Sequence, residues 1–226
     1  MQWVKKYQLF LFDLDGLLVD TESLHYQAYL NVCSKRGVEL DLSFLKYCQA
    51  AHAKSQGLKD LLEIEYPMLF ANEAKWVDIY QEKKVEYINI LKIAKIELMD
   101  GVFELLNALL ENKIESCVVT NSTKQQTDLI IASQPILKLI KHWLTRESYL
   151  EPKPNPECYN KAIQLYGKNK DKIIGFEDSV KGIEALLGSP AKPVLINSLH
   201  VPQMGALYGM GKVAHYNSFK EIHNSI

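Results

Sequence analysis

The sequence predicts an α/β protein, a doubly wound, Rossmann-like parallel sheet carrying an inserted all-helical domain. Three observations predict it. Short runs that are apolar at every position recur along the chain, as in parallel strands buried on both faces. Helical patterns alternate with those runs. One long stretch, from about Thr21 to Ile96, breaks the alternation and holds helical periodicity alone. The expected boundaries are residues 1–18 and 97–226 for the α/β core and 19–96 for the helical domain.

Leu9 to Phe12 is the first strand, apolar at each position and ended by Asp13. In the insertion, Leu24, Ala28 and Val32 form one helical stripe with His25, Tyr29 and Cys33 beside it. Trp76, Tyr80, Tyr87 and Leu91 form a second stripe, read as core of the helical domain. Val102 to Leu110 is a helix with Asp100 as N-cap and a stop near Asn112. Glu115 to Val119 is the next strand. Ser122-Thr123-Lys124-Gln125 reads as a capping box opening a further helix. Asn155-Pro156 reads as the N-cap and first position of a helix reaching about Tyr166. Ile173 to Phe176, Pro193 to Ile196 and Val213-Ala214 are the remaining strands, with a helix at Ser179 to Leu187.

Bulk properties narrow the function classes. The chain has 226 residues, which suits one large domain or a domain with an insertion. Apolar residues make up 47% and the net charge is −1, so nothing favours nucleic acid or an acidic membrane face. Cys33, Cys48, Cys117 and Cys158 make no Cys-x-x-Cys pair, so neither a zinc nor a redox motif is indicated. The apolar run near the N-terminus is cut by Asp13 too early for a signal peptide or a membrane span. The expectation is a soluble, cytoplasmic protein, monomeric or weakly homo-oligomeric.

In open α/β sheets, ligands bind beyond the carboxyl ends of the strands. The residues following each run are therefore the candidates. The first strand is followed by Asp13 and Asp15. If the strand geometry continues, both point to the same side, about 6–7 Å apart along the backbone. Two such charges at 4 Å repel by roughly 4 kcal/mol at an effective dielectric of 20. Thr120, Asn121 and Ser122 follow Val119, and Glu177 and Asp178 follow Phe176. Lys153 lies between prolines, and Pro154 biases it toward an extended backbone. Four carboxylates at one sheet edge suit a hard cation such as Mg²⁺. A lysine and a hydroxyl suit a phosphoryl group, and a carboxylate can attack phosphorus.

Asp13-Leu14-Asp15-Gly16-Leu17-Leu18-Val19-Asp20-Thr21-Glu22 resembles the first motif of the haloacid dehalogenase (HAD) superfamily, in its β-phosphoglucomutase-like phosphatase branch. Val118 to Ser122, Lys153 to Tyr159 and Gly175 to Ile183 resemble the later motifs, in order. The resemblance runs from about Leu9 to Asn197. It implies a phosphoric monoester hydrolase acting on a small phosphorylated metabolite, with the helical insertion as a cap domain. It implies Asp13 as nucleophile and Mg²⁺ ligand, and Asp15 as general acid/base giving its backbone carbonyl to the metal. By the same resemblance, Thr120 binds the phosphoryl group with Asn121 nearby. Lys153 neutralises charge, Asp178 ligates Mg²⁺, and Glu177 supports the site directly or through water. His25 matches a cap histidine of the mutase-type members and is a substrate-binding candidate.

The sequence departs from that pattern in two places. The glycine of the cap loop is displaced in the stretch Gln49 to Gly57, and an arginine of the mutases is Lys54 here. Lysine cannot make the same bidentate fork. After Gly182, Leu186 to Pro193 replaces an alanine-rich helix. A sugar phosphomutase is the alternative function, and a receiver-like phospho-Asp signalling module a more distant one. His52, Lys54, Lys83 and Lys84 are expected on solvated faces.

Overall fold

The computed structural model describes residues 1–53, 56–71, 75–197, 213–222 and 226; Lys54 therefore lies outside the described residues. The elements in chain order are β1 (Leu9–Phe12), β2 (Val19–Asp20), α1 (Glu22–Lys35), α2 (Phe44–Ala53), α3 (Gly57–Glu65), α4 (Trp76–Leu91), β3 (Glu97–Leu98) and α5 (Val102–Glu111). There follow β4 (Glu115–Val119), α6 (Lys124–Ser133), β5 (His142–Leu144), α7 (Glu157–Tyr166), β6 (Ile173–Glu177), α8 (Val180–Leu187), β7 (Lys192–Ile196) and β8 (Ala214–Tyr216). They fall into two compact units, Met1–Asp20 with Ile96–Ile226, and Thr21–Lys95.

The first unit is an α/β fold of the doubly wound, Rossmann-like class. Its main sheet has six strands in the order β5-β4-β1-β6-β7-β8, and every neighbouring pair is parallel. The central strand β1 is buried at all four positions, as its unbroken apolar run requires. It pairs Leu11 with Cys117 on one side and with Gly175 on the other. Phe10, Phe12 and Phe176 stack on one face of the sheet, with ring centroids 5.5–6.0 Å apart, and Phe219 closes on Phe176 at 5.3 Å. Leu9, Leu11, Cys117 and Val119 join Tyr159, Ile183 and Leu186 in a core on the other face. A separate two-residue antiparallel pairing joins β2 to β3.

Several local readings shift. The capping box is Thr123 with Gln126, one residue later than expected, because Ser122 is used elsewhere. The N-cap of α5 is Gly101, not Asp100. Edge strand β5 was not anticipated, since His142-Trp143-Leu144 is too short to show a period. The N-cap position of α7 is Pro156, one residue later than expected, although Asn155 Oδ1 still accepts the Glu157 N–H at 2.9 Å.

The second unit is helical. Ala28, Tyr29, Val32 and Cys33 are the buried face of α1. On α4 the buried face is Ile79, Lys83, Tyr87 and Leu91, so the expected stripe is rotated. Tyr80 is exposed and Lys83 occupies a core position. Its ammonium lies 5.1 and 5.0 Å from the Tyr29 and Tyr87 rings, which lets the aromatic faces replace part of its hydration. His52, expected in solvent, is buried, with its Nε2 3.2 Å from Glu22 Oε2. Among the described residues no helix is long and apolar enough to cross a membrane.

The aromatic stack on β1 and β6 predicts a sharp contrast in stability. Phe176→Ala removes a ring from the buried cluster and should lower unfolding free energy by about 3–5 kcal/mol. Phe103→Ala, on the exposed face of α5, should change it by about 0.5 kcal/mol or less. Urea unfolding of both variants checks this.

Candidate active site

The strand order reverses around β1, whose neighbours are β4 and β6. Such a switch opens a crevice beyond the carboxyl ends of the strands. Asp13 directly follows β1, and its N–H donates to Phe176 O at 3.1 Å. Thr120 directly follows β4, and its N–H donates to Leu144 O at 2.9 Å. Glu177 is the last residue of β6 and Asp178 comes next. Parallel pairing alone therefore gathers these side chains at one edge.

The chain turns between the two aspartates instead of continuing as a strand. Leu18 and Val19 both donate their N–H to Leu14 O, and Gly16 donates to Val19 O at 2.9 Å. Gly16 sits at φ 75°, a left-handed conformation that glycine adopts without steric penalty. Asp15 thus stands in a tight turn, where the Ser122 hydroxyl donates to its Oδ2 at 2.6 Å. The strand-pleat spacing expected for Asp13 and Asp15 does not apply. Thr120 Oγ1 accepts the Ser122 N–H at 3.0 Å, so Ser122 connects the two sides.

Lys153 brings the positive charge. Its ammonium donates to Asp13 Oδ1 at 2.5 Å and to Val119 O at 2.7 Å, and it pairs with Glu177 Oε1 at 2.6 Å. Two of the ammonium's three donors are thus spent on Asp13 and Val119, and Glu177 is its second ion-pair partner. Its side chain is only 3% exposed, and Nζ also lies 4.9 Å from the Tyr159 ring centroid. The loop that presents it is held by Asn121, whose Oδ1 accepts the Lys153 N–H at 3.3 Å. The Tyr149 hydroxyl, 2.7 Å from Thr120 O and 2.8 Å from Asn121 Oδ1, holds Asn121 in turn.

Glu177 is fixed on two sides. Tyr159 donates to its Oε1 at 2.5 Å. Its Oε2 is buried with no hydrogen-bond partner among the described residues and lies against Gly182, where a Cβ would fall 1.9 Å from it. Only glycine at 182 leaves room for that carboxylate. Asp178 is anchored through its main-chain carbonyl, which accepts from Asn197 Nδ2 at 2.5 Å.

Charge is unbalanced here. Burial pushes the Asp13 carboxyl well above the usual range; Lys153 pulls it down, while Glu177, Asp178 and Asp15 push it up. Burial works against the Lys153 ammonium too, but Asp13 and Glu177 outweigh it and hold its pKa well above that of an ordinary lysine. One lysine therefore does not neutralise the cluster. Asp13, Glu177 and Asp178 each place a carboxylate oxygen within 4.8 Å of the others. An all-oxygen donor set with an excess of negative charge fits a hard divalent cation.

The structure thus brings together Asp13, Glu177, Asp178 and Lys153, with Thr120, Asn121 and Asp15 linked to them through hydrogen bonds. His25 stands in the second unit, its Nδ1 2.6 Å from Lys83 Nζ and its ring stacked 3.7 Å from that of Tyr87. Sequence reading placed Ser122 after Val119 without a role of its own in the chemistry, and passed over Tyr159, Tyr149 and Asn197. Tyr159 had a signal, six residues after Lys153 in the first turns of a helix whose start was legible; the others had none.

The sequence profile of the haloacid dehalogenase-like hydrolases matches residues 10–191. The chain belongs to that family. It is an enzyme of the hydrolase class. Protein CbbY of Rhodobacter capsulatus is 26% identical over 193 residues, covering 83% of this chain and 84% of that protein. Validoxylamine A 7'-phosphate phosphatase of Streptomyces hygroscopicus subsp. limoneus is 27% identical over 179 residues, covering 79% and 80%. The crystal structure of a CbbY mutant from Rhodobacter sphaeroides in complex with xylulose-(1,5)bisphosphate has a TM-score of 0.73 at 18% identity. It covers 95% of this chain and 96% of that one, and at that identity it speaks for the fold alone.

The raised Asp13 pKa predicts a stability effect. A folded-state value above the unfolded one, about 3.9, gives stability that is full below the unfolded pKa and lost as pH rises through the folded pKa. Above that folded pKa, without metal, the ionised carboxylate is therefore a net burden. Asp13→Asn should melt at or above the wild-type temperature in metal-free buffer, by calorimetry. A large fall would mean that the Lys153 bond outweighs burial and repulsion.

Proposed function

We propose that this hydrolase is a Mg²⁺-dependent phosphatase of a small phosphorylated metabolite, working through an aspartyl phosphate on Asp13. The observation that carries the proposal is the 2.5 Å bond from the buried Lys153 ammonium to Asp13 Oδ1, beside the two acids Glu177 and Asp178. A carboxylate held there by a lysine has its charge offset, and so can approach an anionic phosphoryl group.

Asp13, Asp178 and the main-chain carbonyl of Asp15 are the proposed holders of the ion, with Glu177 acting directly or through water. When bound, Mg²⁺ supplies Lewis-acid charge to the phosphoryl oxygens. Asp13 attacks phosphorus, and the bond from phosphorus to the ester oxygen breaks as Asp15 gives that oxygen a proton. Water then returns a proton to Asp15 and attacks phosphorus, which releases Asp13 and inorganic phosphate. The Ser122 bond keeps Asp15 in one orientation through both transfers. Thr120 Oγ1, which accepts the Ser122 N–H, retains its own proton for a phosphoryl oxygen. Asn121 has a positioning part, since its Oδ1 is committed to the Lys153 loop.

Residues 19–96 are proposed as a cap that excludes water and selects the substrate, with His25 as its substrate contact. The hydrolytic reading is preferred to a phosphomutase because the relatives include a named phosphatase of a 7'-phosphate. The proposed setting is the cytoplasm, which suits four unbridged cysteines. The proposed partner is the metabolite, with neither nucleic acid nor membrane involved, and the chain is a monomer or weak homo-oligomer.

Phosphate release across a panel of sugar phosphates, nucleotides, phosphoglycolate and glycerol phosphate tests this. Turnover should require Mg²⁺, vanish with chelator and return on readdition. Asp15→Asn should lower kcat by roughly 10²–10⁴-fold, and Asp13→Asn should abolish it with the fold intact. An Asp15→Asn variant with wild-type kcat would remove Asp15 from proton transfer.

A further inference from the structure

The helical unit holds a second cluster of metal-ligating side chains, unrelated in chemistry to the first. Glu22 opens α1. Cys48 and His52 lie four residues apart on α2 and so share one face of that helix. One ligand atom from each, a carboxylate oxygen, the thiol sulfur and an imidazole nitrogen, lies within 4.8 Å of the other two. Cys48 is wholly buried, the His52 side chain is 5% exposed and that of Glu22 is 19% exposed. From this geometry we infer that Glu22, Cys48 and His52 form a zinc site in the helical unit.

The donor set decides the metal. Mg²⁺ takes oxygen and avoids sulfur, whereas zinc accepts thiolate, imidazole and carboxylate together. Zinc bond lengths of about 2.0–2.3 Å place tetrahedral ligand atoms roughly 3.3–3.7 Å apart. The His52–Glu22 pair already stands at 3.2 Å. The 4.8 Å bound on the other separations needs side-chain adjustment of about 1 Å to meet those lengths. An ion pair alone accounts less well for the cluster. A buried imidazole–carboxylate pair returns little net stability, and a thiol is only a weak hydrogen-bond donor to it. A divalent ion makes all three groups ligands and ties α1 to α2. Three protein ligands leave the fourth zinc position for water or another donor. The inference is independent of the reaction proposed above.

Metal analysis and cobalt substitution of the whole enzyme test it. After dialysis against Mg²⁺ buffer, wild type should retain one zinc per chain, and chelation should lower its melting temperature until zinc, not Mg²⁺, is restored. The Co²⁺ derivative should show a thiolate-to-metal charge-transfer band. Co²⁺ bound by Asp13, Glu177 and Asp178 cannot produce that band, because their donors are all oxygen. Cys48→Ser and His52→Ala should each lose the band and the retained zinc. Cys33→Ser, a buried thiol in the same unit, should keep both. Wild type that retains no zinc and shows no thiolate band, or a band that survives in Cys48→Ser, overturns the inference. The wild-type measurements decide the matter even if a variant fails to fold.

Discussion

The Lys153 ammonium has to stay charged where almost no water reaches it. An unpaired charge in such a place costs several kcal/mol. Three oxygens meet it within 2.7 Å, and each comes from a different strand end: Asp13 after β1, Val119 O at the end of β4, and Glu177 at the end of β6. The ammonium therefore registers three neighbouring strands against one another at the edge of the sheet. Much of the surrounding detail serves that register. Asn121 and Tyr149 hold the loop that carries the lysine, Tyr159 holds Glu177, and the missing side chain at Gly182 gives the Glu177 carboxylate its place.

The same cluster holds more negative charge than one lysine can balance. In a protein built only for stability that excess would be a defect, since hydrophobic replacements for buried ions are often as stable or more so. In a phosphoryl-transfer site the excess has a use, because a hard cation completes the balance and the phosphoryl group then no longer meets net negative charge. The two clusters that could hold a metal ion also divide by chemistry. The one at the sheet edge is all oxygen, and the one in the helical unit mixes sulfur, nitrogen and oxygen. Ligand softness keeps such sites from competing for the same ion.

The sheet was legible because its inner strands are unbroken apolar runs, a pattern set by burial on both faces. The residues gathered at its edge were legible because parallel strands place whatever follows them side by side. What escaped was information that local sequence does not hold. Three residues, His142 to Leu144, are too few for a period to emerge. Ser122 suits a capping box as well as Thr123 does, and only its bond to Asp15, 107 positions earlier in the chain, takes it out of that role. Lys83 and His52 read as surface residues by type, yet aromatic faces shelter the one and Glu22 pairs with the other. The turn between Asp13 and Asp15 could have been suspected from Gly16, whose positive φ ends the strand geometry.

The central claim is that Asp13, held by Lys153, attacks phosphorus before water does. The stereochemical course at phosphorus tests it most directly, using a turned-over ester made chiral there with oxygen isotopes and sulfur. Two successive in-line displacements, one by Asp13 and one by water, predict net retention of configuration. Net inversion would mean a single displacement by water and would contradict the account.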